Sequence, residues 1–321
     1  MRILTADDVR AAVDMRAAID AVRAGFVALS QGRARVPLRS ALETPGGVLL
    51  TMPAQLADAP ISAVKVVSVC AGNPSLGLPT IHAVVLATDA RTGQPLALMD
   101  GQTVTALRTG AASGLATDLL ALPEASILAV IGAGVQARTQ VAAVCAVRPI
   151  AEIRVFSLSG AEALAGELRE RYAARVVVAG SAPEALRGAH VVVAATNSKT
   201  PVVHRADLSP GVHVNGIGSF APDMQEIAAD VVAEATIVVD HRASAWAEAG
   251  DLIIPRDQGL IAEASVHAEI GEIAAGLKAG RTSPQEITFF KSVGNAVQDA
   301  ALAQRIIAAA DERGLGTDVA L

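Results

Sequence analysis

A glycine-rich turn, Gly132-Ala133-Gly134-Val135-Gln136-Ala137, lies between an apolar stretch at 126–131 and a helical pattern at 135–147. In the order strand, G-x-G-x-x-A, helix, the glycines permit a tight turn and let a pyrophosphate approach the backbone. The N-terminus of the helix then offers unpaired N–H groups and the positive end of its dipole. The turn therefore predicts a dinucleotide site. The motif alone is weak evidence, and a tight βα turn that binds nothing is the alternative.

The strand that follows this turn, which is the second of the region, has no acidic residue at its carboxyl end. NAD sites usually place an acid there, about 20 residues after the glycines, to accept a hydrogen bond from the ribose 2′-OH. Glu152 has that spacing but precedes the strand, which ends in Ser157-Leu158-Ser159. The hydroxyls of Ser157 and Ser159 can donate to a 2′-phosphate, so the pattern favours NADPH. NADH stays possible, because no arginine follows at once to bind that phosphate.

Two further segments follow predicted strands of the same region. Thr196-Asn197-Ser198 comes after the apolar run 190–195, and Asn215-Gly216-Ile217-Gly218-Ser219 ends the next strand. Doubly wound sheets bind ligands at the carboxyl edge of their strands, and the glycines would let a nicotinamide ring lie against the backbone. Ordinary loop chemistry is the alternative for both segments.

Two cations occupy positions where a charge is uncommon. Lys65 interrupts the apolar strand pattern 61–70, and Arg108 lies among small residues in a predicted helix. A buried lysine is costly unless it serves an anion or a proton transfer, and a guanidinium matches a carboxylate. Arg39 is a weaker third candidate. A solvated lysine and a surface ion pair are the alternatives, but a nicotinamide cofactor with these cations predicts hydride transfer to a small carboxylate.

The composition excludes several other classes of function. A net charge of −6 and 2% aromatic residues argue against nucleic-acid binding. The six histidines show no metal-ligand spacing, no G-x-S-x-G motif occurs, and two cysteines cannot staple a chain of 321 residues. The N-terminus lacks the pattern of a signal peptide and no apolar run is long enough to span a membrane. We expect a protein of the reducing cytoplasm.

The first part of the chain, which contains Lys65 and Arg108, is predicted to contain both helices and strands. Apolar spacing predicts two helices within residues 7–31 and a helix at 102–121. Short apolar runs without intervening helices predict an antiparallel sheet of strands at 47–54, 61–70, 80–88 and 95–99.

After Pro123 the pattern alternates, which predicts a parallel sheet covered by helices on both faces. Residues 283–310 read as one long helix that packs back on the first domain. The predicted strands are 126–131, 153–157, 175–179, 190–195, 212–217 and 236–240, and the predicted helices between them are 135–147, 161–173 and 183–188. The fold class is therefore α/β, a Rossmann-type doubly wound parallel sheet plus a discontinuous α+β domain.

Motifs spread over nearly the whole chain resemble the ornithine cyclodeaminase/mu-crystallin family. They are Val64-Lys65-Val66, Gly77-Leu78-Pro79-Thr80, Asp89-Ala90-Arg91-Thr92-Gly93, Met99-Asp100-Gly101, residues 105–113 (TALRTGAAS), residues 132–137 and Val293-Gly294-Asn295-Ala296-Val297-Gln298-Asp299. The resemblance implies a homodimer whose substrate-binding and dimerisation domain spans 1–121 and 290–321. The dinucleotide-binding domain would span 122–289.

The resemblance also implies roles for individual residues. Lys65 and Arg108 become catalytic and substrate-binding candidates, with Arg39 as a further substrate-binding candidate, while Gly294 would adjoin the substrate and the cofactor. The candidate cofactor-binding residues are Thr80, Thr109, Gly132, Ala133, Gly134, Val135, Gln136, Ser157, Ser159, Thr196, Asn197 and Ser198.

The position of Phe220 separates the activities known in this family. Ornithine cyclodeaminases and the related archaeal alanine dehydrogenases carry an aspartate two residues after the glycine that matches Gly218. A phenyl ring there cannot take a proton or steer an amine. Residues 218–226 look more like the cyclic ketimine reductases, which reduce Δ1-pyrroline-2-carboxylate, and often Δ1-piperideine-2-carboxylate, to proline and pipecolate. Phe220 would then pack near the apolar ring of the substrate.

The resemblance thus favours NAD(P)H-dependent reduction of a cyclic ketimine. Three alternatives stay open. The first is an alanine or other amino-acid dehydrogenase that acts on an open-chain 2-oxo acid with ammonia. The second is ornithine cyclisation, which Phe220 disfavours, and the third is a non-catalytic protein that binds NADPH and a small ligand.

Overall fold

The computed structural model describes residues 1–320. The chain divides into two compact units: residues 1–108 with 295–321 form the first, and residues 109–294 form the second. No helix within the described residues is long and apolar enough to cross a membrane. The roles that the sequence assigns to the two domains stay predictions at this point.

Residues 1–120 form most elements of the first unit, and their last helix runs on into the second unit. In chain order they are β1 (Arg2–Leu4), α1 (Ala6–Ala12), α2 (Met15–Ser30), β2 (Ala34–Arg35), β3 (Ser40–Thr44), β4 (Gly47–Leu56), β5 (Ile61–Val69), β6 (Ile81–Asp89), β7 (Pro95–Asp100) and α3 (Gly101–Leu120).

The remaining elements alternate more regularly. They are β8 (Ile127–Ile131), α4 (Val135–Val147), β9 (Glu152–Phe156), α5 (Ala161–Arg171), β10 (Arg175–Val178), α6 (Ala182–Leu186), β11 (Val191–Ala194), β12 (His213–Gly216), α7 (Ala229–Glu234), β13 (Thr236–Val239), α8 (Arg242–Glu248), α9 (Gly250–Asp257), β14 (Val266–Glu269), α10 (Ile270–Ala274), β15 (Thr288–Lys291), α11 (Ala296–Arg313) and β16 (Thr317–Asp318).

The first unit is built on a sheet of order β16-β1-β7-β6-β5-β4-β2, with β3 paired to β4. Strands β4 to β7 are antiparallel neighbours, as predicted. Helices α2 and α11 pack on each other, and α11 also packs on β4 and β5. Along β5, alternate residues from Ile61 to Val67 are buried. Lys65 belongs to this buried set, so it lies on the side of the strand that the interior covers.

The second unit is a wholly parallel sheet of order β10-β9-β8-β11-β12-β15-β13-β14. The strand order reverses beside β8, which is the switch point of a doubly wound fold. Two separate apolar clusters cover the two faces of the sheet. The strands are nearly all apolar because both faces are buried. The predicted fold class is confirmed.

The long helix predicted at 283–310 is wrong in its first half. Residues 288–291 form β15 in the interior of the parallel sheet, and α11 begins only at Ala296. A short, fully buried strand and a buried helix segment are both continuous apolar runs, so periodicity does not separate them. Gly294 has a φ of +86°, and Asn295 caps α11 by accepting from the N–H of Val297 at 2.9 Å. These two residues end one element and start the other.

The small residues in α3 have a packing role that the sequence suggests. A Cβ atom built on Gly110 would lie 2.7 Å from the carbonyl oxygen of Thr139, which belongs to α4. That distance is too short for any real contact, and the obstacle is backbone. The two helices can therefore approach as closely as they do only with glycine at this position.

We expect Gly110→Ala to lower the free energy of unfolding by about 1–3 kcal/mol, because overpacking forces backbone shifts. Gly166→Ala is the matched control, since Gly166 is also in a helix and its Cβ would meet open space. Alanine there should stabilise the protein by up to about 1 kcal/mol. Chemical denaturation of the two variants tests this. Equal effects would contradict the packing role of Gly110.

Candidate active site

Two cations share one carboxylate in the interior of the first unit. The Nζ of Lys65 lies 3.1 Å from Oδ1 and 2.9 Å from Oδ2 of Asp299. The Nε of Arg108 lies 3.4 Å from Oδ1 of the same carboxylate. Each of the three side chains is less than a tenth exposed. Strand β5, helix α3 and the first turn of α11 therefore bring together residues that are more than 40 positions apart in sequence.

This cluster carries a surplus positive charge, because one carboxylate faces two cations. Burial is the main cause that lowers the pKa of Lys65 to about 8, and the nearby charge of Arg108 lowers it further. Asp299 opposes both effects, while the half-buried Arg39 adds a smaller lowering. Near neutral pH, Lys65 is therefore protonated. A buried surplus of charge is stabilised by an ion of opposite sign, so the cluster suits an anion.

Gln298 orients Arg108, and its own side-chain NH₂ group has no hydrogen-bond partner among the described residues. Its Oε1 accepts from the Nη1 of Arg108 at 2.9 Å and from the backbone N–H of Asn295 at 3.0 Å. Two donors on one oxygen settle which end of the amide is which. The amide Nε2 and the Nε of Arg108 are buried without a hydrogen-bond partner among the described residues. Buried N–H groups of this kind can donate to the oxygens of a bound carboxylate.

The glycine-rich turn of the second unit has the shape that a pyrophosphate needs. Gly132 has a φ of +108°, and a Cβ there would lie 2.5 Å from the carbonyl oxygen of Ala195. A Cβ on Gly134 would meet no atom within 4 Å. Helix α4 follows, and no side chain caps its N-terminus. The residues thus fit a dinucleotide, because the N-terminus of α4 has no side-chain cap and the space at Gly134 is open.

Glu152 is not placed to hold the ribose of that dinucleotide. It lies at the amino end of β9, where it accepts from Arg154 at 2.5 Å and from Arg175 at 2.7 Å. These hydrogen bonds hold the pKa of Glu152 below its usual value. At the other end of the strand, Ser157 is half-buried and Ser159 is exposed. The carboxyl edge of β9 therefore presents hydroxyls rather than a carboxylate.

The segments after β11 and β12 meet at a buried glutamate that sequence reasoning missed. Glu226 accepts from the backbone N–H of Thr196 at 2.6 Å and from its hydroxyl at 2.7 Å. Its other oxygen accepts from the backbone N–H groups of Gly218 at 2.5 Å and Ser219 at 3.0 Å. Asn197 is exposed and Ser198 is half-buried in the same loop. Thr196, Asn197 and Ser198 thus lie at the carboxyl edge of the sheet.

The other predicted site residues are divided between the two units. Thr80 is half-buried just before β6 in the first unit. In the second unit Thr109 is buried, and its carbonyl accepts from the side-chain amide of Gln140 at 3.3 Å. Gly294 is buried and its N–H donates to Asp240 at 2.8 Å. Phe220 is 47% exposed, although it is a large apolar side chain.

Asp299, Gln298 and Glu226 are the site residues to which the sequence assigned no role. Gln298 and Asp299 follow one another in an alanine-rich helix, which is a weak signal for a buried polar pair. Glu226 carried no such signal, because nothing in a single sequence shows which backbone N–H groups a carboxylate will reach.

Comparisons with known proteins agree with the resemblance seen in the motifs. The model of the ornithine cyclodeaminase/mu-crystallin family matches residues 1–314. A Δ1-pyrroline-2-carboxylate reductase of Bacillus cereus is 38% identical over 321 residues, which cover 98% of either chain. The structure of Thermococcus litoralis Δ1-pyrroline-2-carboxylate reductase in complex with NADH and L-proline is 41% identical with a TM-score of 0.96, and the match covers 99% of this chain and 100% of that one. An archaeal alanine dehydrogenase dimer with bound NAD is 36% identical with a TM-score of 0.94, over 100% and 99% of the two chains.

The shared carboxylate of Asp299 makes a testable contribution to stability. We expect Asp299→Asn to lower the free energy of unfolding by about 3–5 kcal/mol, because it leaves two buried cations without a counter-ion. Asp311→Asn on the same helix is the control, since Asp311 is exposed and pairs with Arg2. That change should cost less than about 1 kcal/mol. Urea denaturation measures both, and similar losses would refute the buried cluster.

Proposed function

The chain belongs to the ornithine cyclodeaminase/mu-crystallin family, and we propose that it is an NAD(P)H-dependent ketimine reductase. It reduces Δ1-pyrroline-2-carboxylate, Δ1-piperideine-2-carboxylate or both to the L-amino acid, proline or pipecolate. The observation that carries this proposal is the buried cluster of Lys65, Arg108 and Asp299, whose surplus charge suits one carboxylate. The named relatives with this reductase activity support the choice of substrate.

Position 220 separates this activity from the others in the family. A cyclisation or an addition of ammonia needs a group that steers an amine and takes its proton. Phe220 offers only a phenyl ring, and it is half exposed rather than part of the core. A cyclic ketimine already contains its C=N bond, so no amine has to be positioned. An apolar ring next to the carbon skeleton of such a substrate is therefore compatible with reduction.

In the proposed mechanism Arg108 holds the carboxylate of the substrate, with its Nη1 fixed by Gln298 and its Nε beside Asp299 without a hydrogen bond. Lys65 either adds a second contact to that carboxylate or gives a proton to the imine nitrogen. Arg39 is the third candidate for the carboxylate. The nicotinamide cofactor supplies the hydride for the carbon of the C=N bond. A protonated imine is already electrophilic, so the main task of these residues is to orient it.

The second unit supplies the residues proposed to bind the cofactor. The backbone of residues 132–136 would hold the pyrophosphate of the cofactor. Thr196, Asn197 and Ser198 would lie near its nicotinamide ring. Thr80 and Thr109 are further candidates from the family resemblance. We infer that NADPH is preferred and NADH accepted, because Ser157 and Ser159 present hydroxyls where NAD sites usually carry an acid. The Thermococcus litoralis relative has NADH bound, which supports the wider specificity.

We also propose that the enzyme acts as a homodimer in the cytoplasm. The archaeal alanine dehydrogenase relative is a dimer. The family resemblance assigns dimerisation to the unit that contains Lys65 and Arg108. It also places Gly294 near the substrate.

The assay that tests the function follows absorbance at 340 nm with Δ1-pyrroline-2-carboxylate and either NADPH or NADH. We expect rapid oxidation of both cofactors, faster with NADPH at low concentration, and no reaction of L-ornithine with NAD. Pyruvate with ammonia is the third arm. Proline formed from ornithine, or faster turnover of pyruvate than of the imine, would overturn the proposal.

Arg108 should control the binding of the substrate. We expect Arg108→Ala to raise KM for the imine by about thirtyfold or more, because loss of a buried charged partner costs on the order of 2–5 kcal/mol. Arg33→Ala is the control, since Arg33 is an exposed arginine of the same unit that pairs with Asp58. Steady-state kinetics at fixed cofactor measure both. An unchanged KM in Arg108→Ala would rule out its contact with the carboxylate.

The lowered pKa of Lys65 predicts a pH dependence of anion binding. Lys65 is charged below a pKa of about 8 and neutral above it, so affinity for L-proline should be constant near pH 7 and fall as pH rises through 8. Only the protonated form attracts a carboxylate, so Kd should rise toward about tenfold per pH unit above the pKa. Calorimetry with cofactor present, between about pH 6 and 9.5, measures this.

Lys65→Met is the matching variant, because it carries no titrating group. It should bind L-proline weakly and without the break near pH 8. A wild-type Kd that stays constant to pH 9.5 would show that Lys65 does not contact the anion or keeps an ordinary pKa.

A further inference from the structure

Glu226 joins the two loops that follow β11 and β12. One carboxylate oxygen takes both donors of Thr196, and the other takes the N–H groups of Gly218 and Ser219. The loops also touch directly, since a Cβ on Gly218 would lie 1.9 Å from the carbonyl oxygen of Thr196. Four donors occupy both oxygens of one fully buried side chain. The glutamate therefore sets the distance between the two loops.

A second pair of buried charges holds Glu226 in place. Asp251 accepts from the backbone N–H of Glu226 at 2.7 Å and of Ile227 at 3.0 Å through one oxygen. Its other oxygen accepts from the Nζ of Lys291 at 2.9 Å, and neither of these two side chains is exposed at all. Lys291 is the last residue of β15 and Asp251 lies at the start of α9. The support for the loop that carries Glu226 thus comes from two elements of the second unit, β15 and α9.

Burial of this charged network costs free energy, and a purely structural role does not explain that cost. Two carboxylates and one ammonium group are buried, and apolar residues of similar volume often stabilise a fold more than buried charges do. Burial and the charge of Asp251 raise the pKa of Glu226, while Lys291 and the donors of Thr196 act against that rise. Three backbone N–H groups point at the two oxygens of Glu226, and these donors favour its ionised form.

The position of the loops in the sheet indicates what they serve. The glycine-rich turn follows β8, and β9 with β10 lies on one side of it while β11 and β12 lie on the other. In a doubly wound fold a dinucleotide lies across this switch point, with one nucleotide on each side. In this arrangement the adenosine half of the dinucleotide lies at the carboxyl edge of β9. The loops held by Glu226 therefore belong to the nicotinamide half.

We propose that Glu226 is a positioning residue that holds the loops after β11 and β12 at the spacing the nicotinamide half of the cofactor requires. This rests on the proposed function, since it presumes a nicotinamide dinucleotide in the second unit. Glu226 does not touch the reacting atoms in this scheme. It acts through Thr196, Gly218 and Ser219, with Asp251 and Lys291 fixing the backbone behind it.

The test compares NADH with ADP-ribose, which has the adenosine diphosphate part but lacks the nicotinamide ring. Glu226→Gln keeps the size of the side chain but turns one oxygen into an NH₂ group that faces N–H donors. We expect affinity for NADH to fall by roughly tenfold or more, because buried donors are left unsatisfied. Affinity for ADP-ribose should stay within about twofold, and kcat should fall by about a hundredfold, the scale of a misplacement near 1 Å.

Glu286→Gln is the matched control on the opposite edge of the same sheet. Glu286 also accepts from backbone N–H groups, those of Thr282 and Ser283, and from the hydroxyls of Thr282 and Thr236. It precedes β15, so it lies at the amino edge of the strands. We expect this variant to lower the melting temperature while both ligand affinities and kcat remain those of the wild type.

Equal losses of NADH and ADP-ribose affinity in Glu226→Gln, or no loss of either, would overturn the positioning role. Wild-type protein that binds ADP-ribose but neither NADH nor NADPH would instead refute the proposed function. Hydrogen exchange on the wild type is the measurement that does not depend on a variant folding. The amides of Thr196, Gly218 and Ser219 should be protected without any ligand, and fast exchange there would contradict loops held in advance.

Discussion

The carboxylate that Asp299 shares between Lys65 and Arg108 is the constraint on which the first unit depends. Two buried cations repel one another, and only the anion between them allows both to stay in the interior. The segment that returns to the first unit after the second unit is complete includes α11, which carries Asp299 to β5. The ion pairs therefore link the two parts of this discontinuous unit. The surplus positive charge that remains suits an anion.

The second unit uses buried carboxylates for a different purpose. There they accept hydrogen bonds from backbone N–H groups of loops that follow strands. Glu226 does this after β11 and β12, and Asp240 does it before α11, where it accepts from the Ser292 hydroxyl and from the N–H groups of Val293 and Gly294. Loops at the ligand edge of a sheet have no ladder to hold them, so an internal acceptor supplies the rigidity that a binding site needs.

In the proposed function the turn at residues 132–137 and the strand-end loops bind a dinucleotide, and the Lys65 cluster binds a carboxylate. Such a division of tasks is compatible with several reactions on amino and imino acids. Neither feature distinguishes a reductase from a cyclodeaminase. We propose that this distinction lies with single positions at the loop ends such as Phe220, because a phenyl ring cannot transfer a proton.

Local patterns determined much of this protein from the sequence alone. The alternation after Pro123, the turn at 132–137 and the antiparallel run from β4 to β7 follow from apolar periodicity and glycine placement, which depend on neighbours within a few residues. The odd positions of Lys65 and Arg108 were also visible, because a charge in an apolar run is conspicuous. Only the tertiary structure placed Asp299 between them, put β15 in the sheet and assigned Glu226 to its loops. These facts depend on which distant groups meet in space. In a sequence a buried strand looks like a buried helix segment, and a carboxylate that accepts buried hydrogen bonds looks like a solvated one.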